Sequence, residues 1–237
     1  MRLNARGWAR LAALAVAMIG ALVLHGAWRL VRARSPWPRR FLGWVARIVG
    51  ARVRVVGIPL RRDAVLLANH LSWIDIPALA GASGAAFVAK AELRAAPLVG
   101  WLCTLNNTLF VRRGDRMGID AQVAALRAQL GGPQPITIFP EGTTGDGVTL
   151  LPFKAGLLSA LVPPPPGVRV QPVRVDYGDA TGELAWVGAE NGAHHAARVL
   201  CRRGTFVATL NFLEPFVPAG DRKAIATTAR ARIEAAR

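Results

Sequence analysis

A histidine and an aspartate five positions apart, His70 and Asp75, are the side chains in this sequence best suited to moving a proton. An imidazole titrates near neutrality. A carboxylate on one ring nitrogen fixes the tautomer and stabilises the imidazolium that forms when the other nitrogen accepts hydrogen. On one straight helix the two side chains would lie roughly 140° apart, so they must straddle a turn. Ser72 and Asp75 match a Ser-x-x-Asp capping box, which predicts a helix starting near Trp73 with Pro77 in its first turn. His70 then stands just ahead of the helix, and Asp75 can reach back towards its ring. Taken alone, the same residues also fit a plain helix cap beside a polar strand end.

Three apolar, strand-like runs end in polar motifs. Ala64 to Ala68 leads into Asn69, His70, Leu71 and Ser72; Thr108 to Val111 leads into Arg112 and Arg113; Ile136 to Phe139 leads into Pro140, Glu141, Gly142, Thr143 and Thr144. Open α/β sheets bind ligands beyond the carboxyl ends of their strands, so parallel strands would bring these motifs to one site. Further strands are predicted at Val53–Val56, Phe87–Ala89, Val168–Val175, Leu184–Val187 and Phe206–Phe212. Helices are predicted at Trp73–Ala80, Ile119–Leu130, Phe153–Leu161, Gly192–Cys201 and Arg222–Ala236. The alternation predicts an α/β fold with a central, largely parallel sheet flanked by helices. His194 and His195, adjacent on a predicted helix, are expected to be exposed, since neighbours cannot share one face.

The 237 residues carry a formal charge of +16 with 52% hydrophobic residues, which points to an anionic partner and to contact with lipid. Thirteen arginines and no acid fall within Met1 to Arg62, around the strongest apolar run, Leu11 to Leu24. That placement favours a membrane surface over nucleic acid, for which no recognition module is present. The apolar run is short of the ~20 residues that cross a bilayer. A tilted span, an interfacial anchor and a signal peptide all fit it; the last lacks a clear small-x-small cleavage site. Trp37 to Val49 mixes aromatic, aliphatic and arginine residues, as an interfacial amphipathic helix does. Residues 1–50 are therefore expected to form a membrane anchor and interfacial helix, with a catalytic domain at 51–237 facing the cytoplasm at the cell membrane. Cys103 and Cys201 give neither a disulfide framework nor metal-ligand spacing to a histidine.

These motifs resemble, in order, those of the phospholipid and glycerol acyltransferase family. Asn69, His70 and Asp75 are similar to its first signature, Leu109 to Arg113 to its second, Phe139 to Thr143 to its third, and Val170 to Val173 to its fourth. Lys90, Glu92 and Leu93 look like the basic segment between the first two. The resemblance covers about Val53 to Phe216. It implies acyl transfer to a lysolipid hydroxyl from acyl carrier protein or coenzyme A, with no cofactor and no metal. His70 and Asp75 would be catalytic. Asn69, Ser72, Lys90, Arg113, Glu141, Gly142, Thr143 and Thr144 would lie around the substrates, with Glu141 and Gly142 in an acceptor-binding turn. Members specific for glycerophosphate carry Arg after Glu-Gly-Thr. Here Thr144 stands there, followed by Gly145, Asp146 and Gly147, as in branches that acylate other lysolipids such as lyso-ornithine lipid, so lyso-ornithine lipid and lysophosphatidic acid (1-acyl-sn-glycerol-3-phosphate) stand as nearly equal expected acceptors. Two rivals remain: a hydrolase that turns the same pair on water, and a membrane-binding protein without catalysis.

Overall fold

The computed structural model describes residues 2–31, 35–112 and 118–237. The chain opens with α1 (Ala5–Leu30) and α2 (Trp37–Ile48), then β1 (Ala51–Val56), β2 (Ala64–Ala68), α3 (Asp75–Ser83) and β3 (Ala86–Lys90). It continues through α4 (Pro97–Leu105), β4 (Leu109–Val111), α5 (Ile119–Leu130) and β5 (Ile136–Ile138). The remainder is β6 (Arg169–Asp176), α6 (Thr181–Leu184), α7 (Gly192–Cys201), β7 (Phe206–Phe212) and α8 (Arg222–Ala235).

One seven-stranded sheet runs in the order β1-β7-β6-β2-β5-β3-β4. Every pairing is parallel except β6 with β7, so β6, β2, β5, β3 and β4 present their carboxyl ends along one edge. Strand β2, in the middle, is buried along its whole length. Its side chains alternate: Leu66 and Ala68 join Ile74, Leu79, Val173 and Leu210 in one apolar layer. Val65 and Leu67 join Leu126, Ile136, Leu158 and Ile225 in the other. That is why Ala-Val-Leu-Leu-Ala has no polar position: a central parallel strand is covered on both faces. Each buried leucine contributes roughly 2 kcal/mol.

Two sequence expectations differ from the fold, and one element lies outside them. Leu184–Val187 is no strand; α6 ends at Leu184 and a loop follows, in which the Trp186 N–H donates to the Leu71 carbonyl (2.8 Å) and its indole to the Glu190 carbonyl (2.7 Å). The Phe153–Leu161 helix shrinks to a 3-10 turn over Gly156–Leu161. Helix α4 was not anticipated, because a short apolar run carries no period that separates strand from helix.

The amino-terminal helix is longer than its apolar core. α1 has 26 residues, and by length and composition it can cross a membrane; almost none of its most apolar stretch is covered by the rest of the described chain. Asn4 caps it by accepting from the Gly7 N–H at 2.9 Å. The first turns are fastened to the body: the Arg10 guanidinium donates to the carbonyls of Val199 (3.1 Å), Leu200 (3.2 Å), Arg202 (3.0 Å) and Gly204 (3.2 Å). These oxygens gather at the negative end of α7, where a cation is favoured. α2 crosses α3 where Gly43 meets Gly81, so close that a Cβ on Gly81 would stand 2.7 Å from the Gly43 Cα. Two arginine bonds, from Arg39 to the Gly81 and Ala82 carbonyls, fix the same crossing.

Candidate active site

His70 follows β2 at the carboxyl edge of the sheet, and the chain then turns into α3. Asp75 opens that helix and its side chain folds back. Its Oδ2 accepts from His70 Nδ1 at 2.7 Å, from the Leu71 N–H at 2.7 Å and from the Ser72 N–H at 3.0 Å. The capping-box reading thus holds in one half only: the aspartate reaches back to Ser72, while the Ser72 hydroxyl accepts from the Ile74 N–H at 3.4 Å. Since a carboxylate only accepts, Nδ1 of His70 carries the hydrogen and Nε2 is the basic nitrogen. The Asp75 side chain is wholly buried, whereas that of His70 keeps 16% of its surface exposed. The imidazole stacks on the Phe139 ring, centroids 3.9 Å apart, which fixes its plane.

The third motif closes on the first through the backbone. Glu141 is buried, and its Oε1 accepts from the His70 N–H at 2.9 Å while Oε2 accepts from the Leu151 N–H at 3.1 Å. The Gly145 N–H donates to the His70 carbonyl at 2.7 Å. Both backbone groups of His70 are therefore held by the loop after β5. Burial pushes the Glu141 carboxyl above its ordinary range, and the two N–H bonds pull the other way.

Several residues expected around the substrates are turned into the fold. Asn69 is buried; its amide donates to the Val175 carbonyl at 2.9 Å and its oxygen accepts from the Val175 N–H at 2.7 Å, joining β2 to β6 beyond their last paired residues. Ser72 is fully buried. The Thr144 hydroxyl donates to the Trp186 carbonyl. Thr143 is exposed, and Gly142 takes a left-handed φ of +75° with the Lys154 ammonium against it, 2.9 Å from where a Cβ would be. A side chain at position 142 would displace that ammonium. Lys90 is exposed at the end of β3, two strand spacings from β2, which is about 10 Å. Arg112 is exposed after β4, one strand further out. The first and third motifs therefore touch, and the second stands at the rim. Arg113 lies outside the described residues.

Sequence reasoning missed Tyr177, which is buried and donates its phenol hydrogen to Asp75 Oδ1. It also misplaced His195, which is buried, stacks on Trp186 with centroids 5.2 Å apart, and meets the Leu184 carbonyl at 3.1 Å through Nε2. The Trp186 loop is clamped further by Glu190, which bonds Arg198 at 2.7 Å and is pulled down to about 2, chiefly by that guanidinium. Among the described residues, no group of three or more His, Cys, Asp or Glu side chains could hold a metal ion.

The family model described as Acyltransferase matches residues 52–176, just over half of the chain. A lyso-ornithine lipid O-acyltransferase of Pseudomonas aeruginosa is 36% identical over 203 residues, 81% of this chain and 76% of that one. A 1-acyl-sn-glycerol-3-phosphate acyltransferase of Neisseria gonorrhoeae is 35% identical over 126 residues, 53% of this chain and 49% of that one. The crystal structure of the 1-acyl-sn-glycerophosphate acyltransferase of Thermotoga maritima superposes with a TM-score of 0.62 at 25% identity, covering 98% of this chain and 97% of that one. With a family model spanning the motifs that converge on His70, and a relative sharing a third of its residues over most of both chains, this protein belongs to the acyltransferase family and is an acyltransferase.

Proposed function

We propose that this protein moves a fatty acyl group from a thioester, carried by acyl carrier protein or coenzyme A, to the free hydroxyl of a lysolipid. The observation that carries the reading is the partly exposed imidazole of His70, bound through Nδ1 to a buried carboxylate at 2.7 Å, so that Nε2 faces outward from that bond as a base. Nε2 takes the hydroxyl proton as the lysolipid oxygen attacks the thioester carbonyl. The tetrahedral intermediate collapses, the carbon–sulfur bond breaks, and the imidazolium returns the proton to the departing thiolate. The new ester and the free thiol are the products. No acyl-enzyme forms and no prosthetic group or metal is needed. Asp75 holds the tautomer and stabilises the transient imidazolium. Lys90, Arg113 and Lys154 supply positive charge to anionic groups of donor or acceptor, and Gly142 and Thr143 form the open part of the turn against which the acceptor lies.

Lyso-ornithine lipid is the preferred acceptor. Thr144 occupies the place where an arginine would grip a phosphate, and its hydroxyl is committed to the Trp186 carbonyl. The Pseudomonas relative that matches over most of its length bears that acceptor in its name. Lysophosphatidic acid is the second reading, favoured by the fold likeness to the Thermotoga enzyme along nearly the whole chain. Residues 1–50 anchor the protein: α1 enters the membrane and α2 lies along its surface, with the domain at 51–237 on the cytoplasmic side. A helix that exposes Trp8, Val16, Ile19, Val23 and Trp28 suits lipid better than water.

The test is an acyl-transfer assay in membranes containing the protein, with lyso-ornithine lipid and lysophosphatidic acid offered side by side and acyl carrier protein and coenzyme A thioesters supplied in turn. Diacylated ornithine lipid is the expected main product. Transfer to neither acceptor from a competent donor overturns the reading, and release of fatty acid without any lysolipid identifies a hydrolase instead.

A further inference from the structure

The carboxylate behind His70 has a second buried partner that none of the acyltransferase motifs contains. Tyr177 is the first residue after β6, delivered to the carboxyl edge of the sheet by the pairing of β6 with β2 and by the double bond between Asn69 and Val175. Its ring packs edge-on against Phe206, centroids 5.4 Å apart, in the same apolar layer as Leu71 and Ile74. Its phenol points at Asp75 Oδ1, the oxygen not used by His70, Leu71 or Ser72. We propose that Tyr177 is a positioning residue for the reaction, the far end of a Tyr–Asp–His chain that orients Asp75 and tempers its basicity, and so sets the pH at which His70 is free to act as base. This rests on His70 being the base in the reaction proposed above.

A fully buried carboxylate needs donors on both oxygens. Three donors on Oδ2 fix that atom; without a donor on Oδ1 the group would rotate or turn more basic. A hydrogen bond to the ionised form favours ionisation. The phenol therefore keeps Asp75 charged and aligned, yet draws off part of the charge that stabilises the imidazolium. Burial and the neighbouring Asp75 push the phenol well above its ordinary range, so it stays a donor throughout the working pH. The other ionisable groups around this chain are Glu141 on the loop after β5, His195 on α7, and Arg202, whose guanidinium lies 5.4 Å over the Phe206 ring. None of them bonds to Asp75.

The sequence makes the test unusually clean, because Tyr177 is the sole tyrosine among 237 residues. Growth on 3-fluorotyrosine places one fluorine label in the full-length protein, beside Asp75. The fluorine resonance is expected to titrate with a midpoint matching the acid limb of kcat/KM, and to lose that titration in His70→Ala. Fluorination makes the phenol a stronger donor, so the acid limb should move to lower pH. Tyr177→Phe removes the donor but keeps the ring. Its acid limb should move up by about half a pH unit or more, with plateau kcat several-fold lower and KM unchanged. A ring needed only for packing would leave the acid limb in place. Superimposable pH profiles for wild type, Tyr177→Phe and the fluorinated protein overturn the proposal, as does a fluorine signal indifferent to His70→Ala. Should Tyr177→Phe fail to fold, the fluorine titration and the fluorinated enzyme's profile decide alone. Full acyl transfer by His70→Ala would instead sink the parent mechanism, whereas an inactive His70→Ala with unmoved Tyr177 profiles sinks only this inference.

Discussion

Glu141 ties the backbone of His70 to the loop after β5, and Glu141→Gln tests that tie. Both of its oxygens are acceptors for backbone N–H groups, those of His70 at 2.9 Å and Leu151 at 3.1 Å, and the side chain is buried. Glutamine keeps the shape but replaces one oxygen with a donor, so in either orientation one N–H faces an NH2 group. A hydrogen bond to a charged acceptor contributes roughly 1.5–3 kcal/mol, and an orphaned buried donor costs about 1–3 kcal/mol. Neutralising the buried charge offsets part of this, so a net loss of about 1–2 kcal/mol is expected, which lowers the Tm of a domain this size by roughly 2–8 °C. The backbone of His70 is also released, and a shift of the base of even ~1 Å can cost on the order of a hundredfold in kcat. Differential scanning fluorimetry and steady-state acyl transfer on the same preparation read both numbers. A variant of normal Tm and kcat whose KM for the acceptor alone rises would refute the strut and restore Glu141 to the acceptor-binding role implied by its motif.

Other consequences follow from the same geometry. Asp75→Asn puts an amide among four donors and releases the tautomer, so kcat should fall on the order of 10³–10⁴-fold with little change in KM, measured by initial rates. Burial raises the Glu141 carboxyl, so the folded state takes up its proton at a pH where a surface glutamate stays ionised. By linkage that protonation favours the fold, its stabilisation being full below the unfolded carboxyl value and lost as pH rises through the folded one. Activity should therefore decline on acidification before Tm does, and Glu141→Gln should lack that part of the limb. Gly81→Ala drives a Cβ to 2.7 Å from the Gly43 backbone, forcing α2 away from α3. About 1–3 kcal/mol of stability should be lost by denaturation, while Gly26→Ala, with open space around it, should cost nothing measurable.

The sequence carried the site's chemistry better than its supports. The His70–Asp75 spacing was enough to require a turn, because no helical face holds both, and the apolar runs ending in polar motifs placed that turn at a sheet edge. What it could not convey was which polar atoms would be spent inside the fold. Asn69 and Ser72 look like surface residues of a motif until the pairing of β2 with β6 brings Val175 against one and buries the other. Tyr177 lies 102 residues from Asp75, and only the sheet order makes them neighbours. His195 was misjudged because adjacency on a helix says that one of two residues faces in, not which. The loop at Leu184–Val187 resembles a strand in composition, but its backbone answers to Leu71 and Thr144 instead of to a ladder.

One comparison bears most directly on the central claim: acyl transfer by wild type and His70→Ala, inserted in the same membranes at equal amounts, with matched folding verified by Tm. Loss of a general base predicts a rate lower on the order of 10²–10⁴-fold at saturating acceptor, with KM little changed. Transfer at the wild-type rate would mean that the proton leaves the hydroxyl by another route, and that the imidazole at the end of β2 is not the base.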